Sequence, residues 1–181
     1  MKVFRVLRAA ALPCSLLLAG CVAPGTSTSE VDVSQLVQTA PADLRVVDIL
    51  PRGLGSGGEA LLLIEISDDN PDIASSESFE LTPTGETYDA ENRRTIATYS
   101  LSRADQRRFT EMQVKIRAQL LAGYAQVRLA ADSAVCDEAG VELVSGTSPL
   151  MVQNAATGRT IYTVMPDEPL ATIKDRVPFC T

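Results

Sequence analysis

One stretch of this 181-residue chain clearly repeats its apolar residues at helical spacing. Between Arg103 and Leu120, Phe109, Met112, Ile116 and Leu120 recur every three or four residues and make a single stripe. Arg103, Arg107, Arg108, Glu111 and Lys115 fall mostly outside it, with Glu111 placed to pair with Lys115 one turn later. Ser102 precedes the run and Asp105 follows three residues on, a variant of the capping box, while Gly123 stops it. A stripe of this kind is core packing, so a helix over about 103–120 is expected to lie against a sheet.

The remaining apolar residues come in short runs with strand character. Leu44–Leu50 mixes Val and Ile on both faces, and Ala60–Ile66 is apolar on both faces apart from Glu65, as a central strand would be. Ser78–Thr82 turns Phe79 and Leu81 to one side, and Thr95–Leu101 does the same with Ala97, Tyr99 and Leu101. After the helix, Ala125, Val127, Leu129 and Ala131 share a face. Leu150–Asn154 and Arg159–Met165, separated by Ala-Ala-Thr-Gly, read as a hairpin with Gly158 left-handed, and a last strand is expected over Thr172–Val177. Many short strands and one helix predict a mostly β fold: an antiparallel sandwich-like domain, or a single sheet with the amphipathic helix packed on it.

GLGSGG, residues 53–58, spells G-x-G-x-x-G through Gly53, Gly55 and Gly58. A dinucleotide site needs that turn to open a helix whose N-terminal N–H groups hold the pyrophosphate. Here the following segment, Glu59–Ser67, is short, apolar on both sides and halted by SDDNPD, with an acid next to where phosphate would lie. A flexible hairpin connection between strands 44–50 and 60–66 accounts for the glycines, so neither nucleotide nor other cofactor is expected.

Other chemistry is thin. The chain has no histidine, which removes Ser-His and Cys-His catalysis and the commonest metal ligand. No catalytic, cofactor-binding or metal-ligating residue is assigned. Asp68, Asp69 and Asp72 form an oxygen-rich loop that lacks the glycine and distal glutamate of an EF-hand, and a solvated turn explains it better. Glu80 with Glu86 or Asp89 offers a carboxylate pair for a hydrolase, but sugar clefts are lined by aromatic rings and this chain has no tryptophan.

The amino terminus is more specific. Lys2, Arg5 and Arg8 precede an apolar run from Ala9 to Leu18, and Ala19 and Gly20 lead into Cys21. This is the three-part layout of an export signal, too short to span a membrane as a stable helix. Leu18-Ala19-Gly20-Cys21 resembles the lipobox of bacterial lipoprotein precursors. The resemblance covers residues 1–21 and implies cleavage between Gly20 and Cys21, with a diacylglyceryl group on the Cys21 sulfur and further acylation of the new amino group. Such a lipid is a stable anchor. Val22 stands where an Asp often retains enteric lipoproteins in the inner membrane, which favours the outer membrane. The mature domain resembles no characterised family.

Export places the chain in an oxidising compartment. With Cys14 removed and Cys21 acylated, Cys136 and Cys180 are left to form one disulfide. Losing residues 1–20 takes the net charge from −7 to −10, which disfavours nucleic acid and anionic lipid head groups as partners. Residues 53–92 hold ten acids and no base, whereas 93–128 hold eight bases against Asp105 and Glu111. Either the molecule has two charged faces, or the segments lie side by side and neutralise one another. A helix resting on the membrane gains little support from so acidic a chain.

The expected organisation is a signal over 1–20, a lipidated terminus and flexible tether over 21–40, in which Ser34 caps a brief helical turn, and one periplasmic β-rich domain over 41–181. The expected role is non-enzymatic: a structural or binding module, held to the envelope membrane, that contacts another envelope protein. The alternatives are a small-ligand carrier or sensor with a pocket lined by Met112 and Ile116, and a carboxylate-dependent hydrolase.

Overall fold

The structure, a computed structural model, describes residues 30–67, 74–122, 126–143, 148–164 and 177–180. Seven strands, β1 (Leu44–Pro51), β2 (Leu54–Ser67), β3 (Ser75–Asp89), β4 (Arg94–Leu101), β5 (Gln126–Asp137), β6 (Leu150–Asn154) and β7 (Arg159–Val164), form one antiparallel sheet in the order β5-β2-β3-β4-β1-β6-β7. Among the described residues there are also two helices, α1 (Val33–Gln38) and α2 (Arg103–Ala122), and a 3-10 turn at Pro41–Asp43. The mostly β architecture with one long helix is therefore present, and of the two arrangements expected it is the single sheet.

The sheet is curled, and β5 at one edge comes into contact with β6 and β7 at the other. Alternation decides which side chains the curl encloses. Leu44, Val46 and Leu50 of β1, Leu62, Ile64 and Ile66 of β2, and Ala97, Tyr99 and Leu101 of β4 all turn inward and are buried. The helix closes this core. Phe109, Met112 and Ile116 have no exposed surface, and Phe109 meets Phe79 edge-on with ring centroids 5.8 Å apart. Leu120 keeps the angle of the stripe yet is 42% exposed. Ser102 caps the helix as expected: its Oγ accepts from the Asp105 N–H at 3.1 Å and donates to Asp105 Oδ2 at 2.8 Å. Lys115 pairs with Glu77 of β3 at 3.2 Å, not with Glu111.

Three further expectations are corrected. The glycine stretch does not connect a hairpin. β1 pairs with β4 and β6, and β2 with β3 and β5. Only Arg52 and Gly53 join β1 to β2, and Leu54–Ser56 already pairs with Val135–Asp137 of β5. The chain thus crosses from one part of the curled sheet to another. Residues 30–40, expected within the flexible tether of 21–40, belong to the folded domain. The backbone N–H of Asp32 donates to the Ile161 carbonyl of β7 at 2.9 Å, and α1 buries Leu36 and Val37. Asp32, not Ser34, caps α1, its Oδ1 accepting from the Gln35 N–H at 3.0 Å. At the other end of α1, the Gln113 side-chain amide donates to the carbonyls of Leu36 (2.8 Å) and Thr39 (2.7 Å). These satisfy helix-end carbonyls that have no partner of their own, so the segment docks as part of the domain.

The β6–β7 hairpin forms as read, with Gly158 at φ 70° donating to the Asn154 carbonyl at 2.8 Å. Of the strand expected over 172–177, only Val177 lies within the described residues. No helix among the described residues is long and apolar enough to cross a membrane.

Candidate functional site

The sheet forks beside the glycine stretch. β3 pairs with β2 only as far as Ala60↔Leu81, and from there continues with β4 alone. β2 on its side pairs with β5 through an irregularity: between Ser56↔Val135 and Ala60↔Ser133 it carries Gly57, Gly58 and Glu59 against Ala134. A bulge of this size needs a residue with positive φ, which Gly58 supplies at 84°. The segment after Gly58 is strand, so the helix N-terminus that a dinucleotide-binding turn requires is not formed there. Gly55 has a different reason. A Cβ there would lie 2.9 Å from Cys180 Sγ and 3.3 Å from Cys136 Sγ, so glycine leaves the room that the two sulfurs occupy.

A cleft of about 470 Å³ sits in the fork. Ala60, Leu61 and Leu81 form its apolar wall, and Glu59, Glu80 and Asp132 bring three carboxylates to it. Glu86 and Asp89, the partners suggested for Glu80, stand farther along β3. Asp89 is occupied in the β3–β4 turn. Asn92 donates to it through its backbone and side-chain nitrogens, Arg94 Nε lies 2.9 Å away, and these bonds, those of Asn92 foremost, hold its carboxyl below the usual range.

Ser133 also lines the cleft and leads to the one carboxylate in the core among the described residues. Asp48 occupies an inward position of β1 and is only 2% exposed. Ser133 Oγ of β5 donates to its Oδ2, and Ser148 Oγ lies 3.4 Å from its Oδ1. Burial lifts the Asp48 carboxyl to about 6, Asp132 adds to the rise, and the two serine hydroxyls oppose it. One strand away, Tyr99 is fully buried and its hydroxyl lies 2.7 Å from Ser56 Oγ of β2. Burial raises the Tyr99 phenol, and the charges of Asp48 and Glu86 act in the same direction. Asp48–Ser133 and Tyr99–Ser56 both join β1 or β4 to β2 or β5 across the curl. The first is a serine held by a carboxylate at the edge of a cleft, with no histidine in the chain to relay its proton.

The sequence pattern does not single out Asp48. Its strand mixes apolar residues on both faces, so the pattern leaves open which face turns inward. A usable signal lies in pairing it with Ser133, since both interrupt an otherwise apolar inward row and buried polar groups need partners.

The other expected site residues fall as follows. Gly20 and Cys21 lie outside the described residues, as do Asp68, Asp69 and Asp72. Cys136 and Cys180 stand at disulfide distance, with Cα atoms 5.0 Å apart. The terminal segment is laced to β5: Asp137 N–H donates to the Pro178 carbonyl at 2.7 Å, and Cys180 N–H to the Asp137 carbonyl at 2.9 Å. Met112 and Ile116 pack in the core and line neither the fork cleft nor the groove beside α2. No group of acids and cysteines among the described residues is arranged to hold a metal ion. No known family model matches the chain, and neither does any curated protein or solved structure.

Proposed function

We propose that this chain is an exported lipoprotein of the bacterial cell envelope, anchored through acylated Cys21, whose β domain serves as a non-enzymatic structural or binding module for another envelope protein. The observation that carries this proposal is the run from Lys2 to Cys21, in which charge, apolar stretch and lipobox follow in order. The Cys136–Cys180 pair supports it, because a disulfide is expected in an oxidising compartment. Val22 after the lipidated cysteine favours the outer membrane. The test is metabolic labelling with palmitate. Wild-type protein should take up label and mature by loss of 20 residues, and Cys21→Ala should do neither. Persistent labelling of the variant, or recovery of unprocessed protein from the cytosol, would overturn the proposal.

A small-ligand carrier draws its support from the fork cleft, which combines an apolar wall with three carboxylates. A ligand seated there should raise the unfolding temperature of the wild type but not of an Asp132→Asn, Glu80→Gln variant.

A further inference from the structure

The outward face of α2 has a composition that neither the core nor the ion pairs explain. Three of the four ion pairs among the described residues join the acidic segment to the basic one: Arg94–Asp89, Arg108–Glu77 and Lys115–Glu77. To that extent the two segments neutralise each other. Arg103 and Arg107 are left out of this pairing and form no ion pair among the described residues. They flank a groove of about 640 Å³ between α2 and the 3-10 turn, whose other wall is Ala40, Pro41 and Ala42. Farther along the same face the helix turns apolar. Val114 is 58% exposed and Leu121 is 87% exposed, both within about 20° of the Arg103 direction at 100° per residue. Glu111 is the one acid on this outward stripe.

The described chain enters the domain through α1, which packs beside α2. The described chain begins at Glu30, bonds to β7 at Asp32, and runs through α1 along α2, where Gln113 and Arg117 hold its carbonyls. Between Cys21 and that entry stand residues 22–29, which span at most about 30 Å when fully extended. A helix of 20 residues is about as long. An anchor at Cys21 therefore keeps α2 within reach of the bilayer surface at all times, at a high effective concentration.

We propose that the outward face of α2 docks on the anionic surface of the bilayer that holds Cys21, with Arg103 and Arg107 meeting lipid phosphates and Val114 and Leu121 entering the interface. The docking rests on the lipid-anchor proposal above. Arginine heads beside exposed aliphatic residues on one helix face are the composition of an interfacial helix. The acidity of the chain as a whole does not oppose it, because the described acids of residues 53–92 belong to β2, β3 and the turn that follows, whereas this face carries bases left out of the ion pairs.

Because the chain has no tryptophan, one introduced indole reports its own surroundings. Full-length, lipidated Leu121→Trp protein would be reconstituted into vesicles of phosphatidylcholine with and without phosphatidylglycerol. Tyr88→Trp serves as the reference, since Tyr88 is exposed and lies about 30 Å along β3 from Ser78, which meets α2. Docking predicts that the emission of Leu121→Trp moves to shorter wavelength on phosphatidylglycerol vesicles and is quenched by brominated lipid, while that of Tyr88→Trp does neither. Adding Arg103→Glu and Arg107→Glu to Leu121→Trp should lower the docking equilibrium by about thirtyfold or more and leave vesicle attachment intact. Equal emission from the Leu121→Trp and Tyr88→Trp proteins, both attached, would overturn the docking and spare the anchor. Absence of palmitate at Cys21 would overturn both.

Discussion

Asp48 is a carboxyl group buried in the core, which the pattern of its strand does not announce. A carboxyl raised from 3.8 to about 6 binds its proton more tightly in the folded chain than in the unfolded one. Below 3.8 both states are protonated and the group costs nothing. Between 3.8 and about 6 the unfolded chain gives up a proton that the folded chain keeps, so this group's contribution to stability falls as pH rises. Above about 6 the cost is complete, at about 3 kcal/mol. Asp48→Asn removes the ionisation and keeps a hydrogen-bonding side chain of the same size. The variant should match the wild type near pH 4 and be more stable near pH 8 by about 1–3 kcal/mol. Urea unfolding of both proteins across that range checks it, and a difference that does not change with pH would show that Asp48 is not buried as an acid. Gly55 makes a second residue-scale case. Gly55→Ala would place a methyl group 2.9 Å from Cys180 Sγ, so mass spectrometry under non-reducing conditions should find the variant with a larger fraction of free thiols.

At the scale of elements, α2 separates the readable from the unreadable. Its stripe, its cap and its length are legible because helical period and capping chemistry are local. Ile116→Ala should cost about 2–5 kcal/mol, as truncation of a fully buried aliphatic does, while Leu120→Ala at the exposed end of the same stripe should cost under about 1 kcal/mol. Thermal or urea unfolding of the pair measures the difference. Gln113 is not legible, since its burial depends on the carbonyls of α1, which no local pattern announces. Strand positions are legible for the same reason as the stripe: inward rows such as Ala97, Tyr99 and Leu101 alternate cleanly. Partner strands are not. The glycine stretch between the expected strands 44–50 and 60–66 invites a hairpin, yet β1 pairs with β4 and β6, and β2 with β3 and β5. The fork cleft depends on those pairings, so its residues carry no joint signal beyond their acidity. The segment after the glycines, expected as a strand over 60–66, is strand.

At the scale of the molecule, two links among the described residues meet at β5, the edge strand of the sheet. The Asp48–Ser133 contact draws β5 toward β1, and Cys136–Cys180 ties the C-terminal segment to β5 beside the first residues of β2. They act differently. The hydrogen bond contributes only in the folded state, whereas a crosslink spanning 44 residues mainly restricts the unfolded chain and is worth about 4 kcal/mol in the chain-entropy account. Replacing both cysteines by serine should therefore lower stability by about 2–4 kcal/mol and leave the slope against urea equal to or steeper than that of the wild type, because an unfolded chain without the crosslink exposes more surface. Reductant should bring the wild type to the same midpoint and leave the variant unchanged. Coincidence of the oxidised wild type with both the reduced wild type and the variant would mean that the crosslink does not restrict the unfolded chain. A loss together with a shallower slope would mean that the bond holds native packing at this edge of the sheet, and that the glycine beside it serves the folded state as much as the crosslink does.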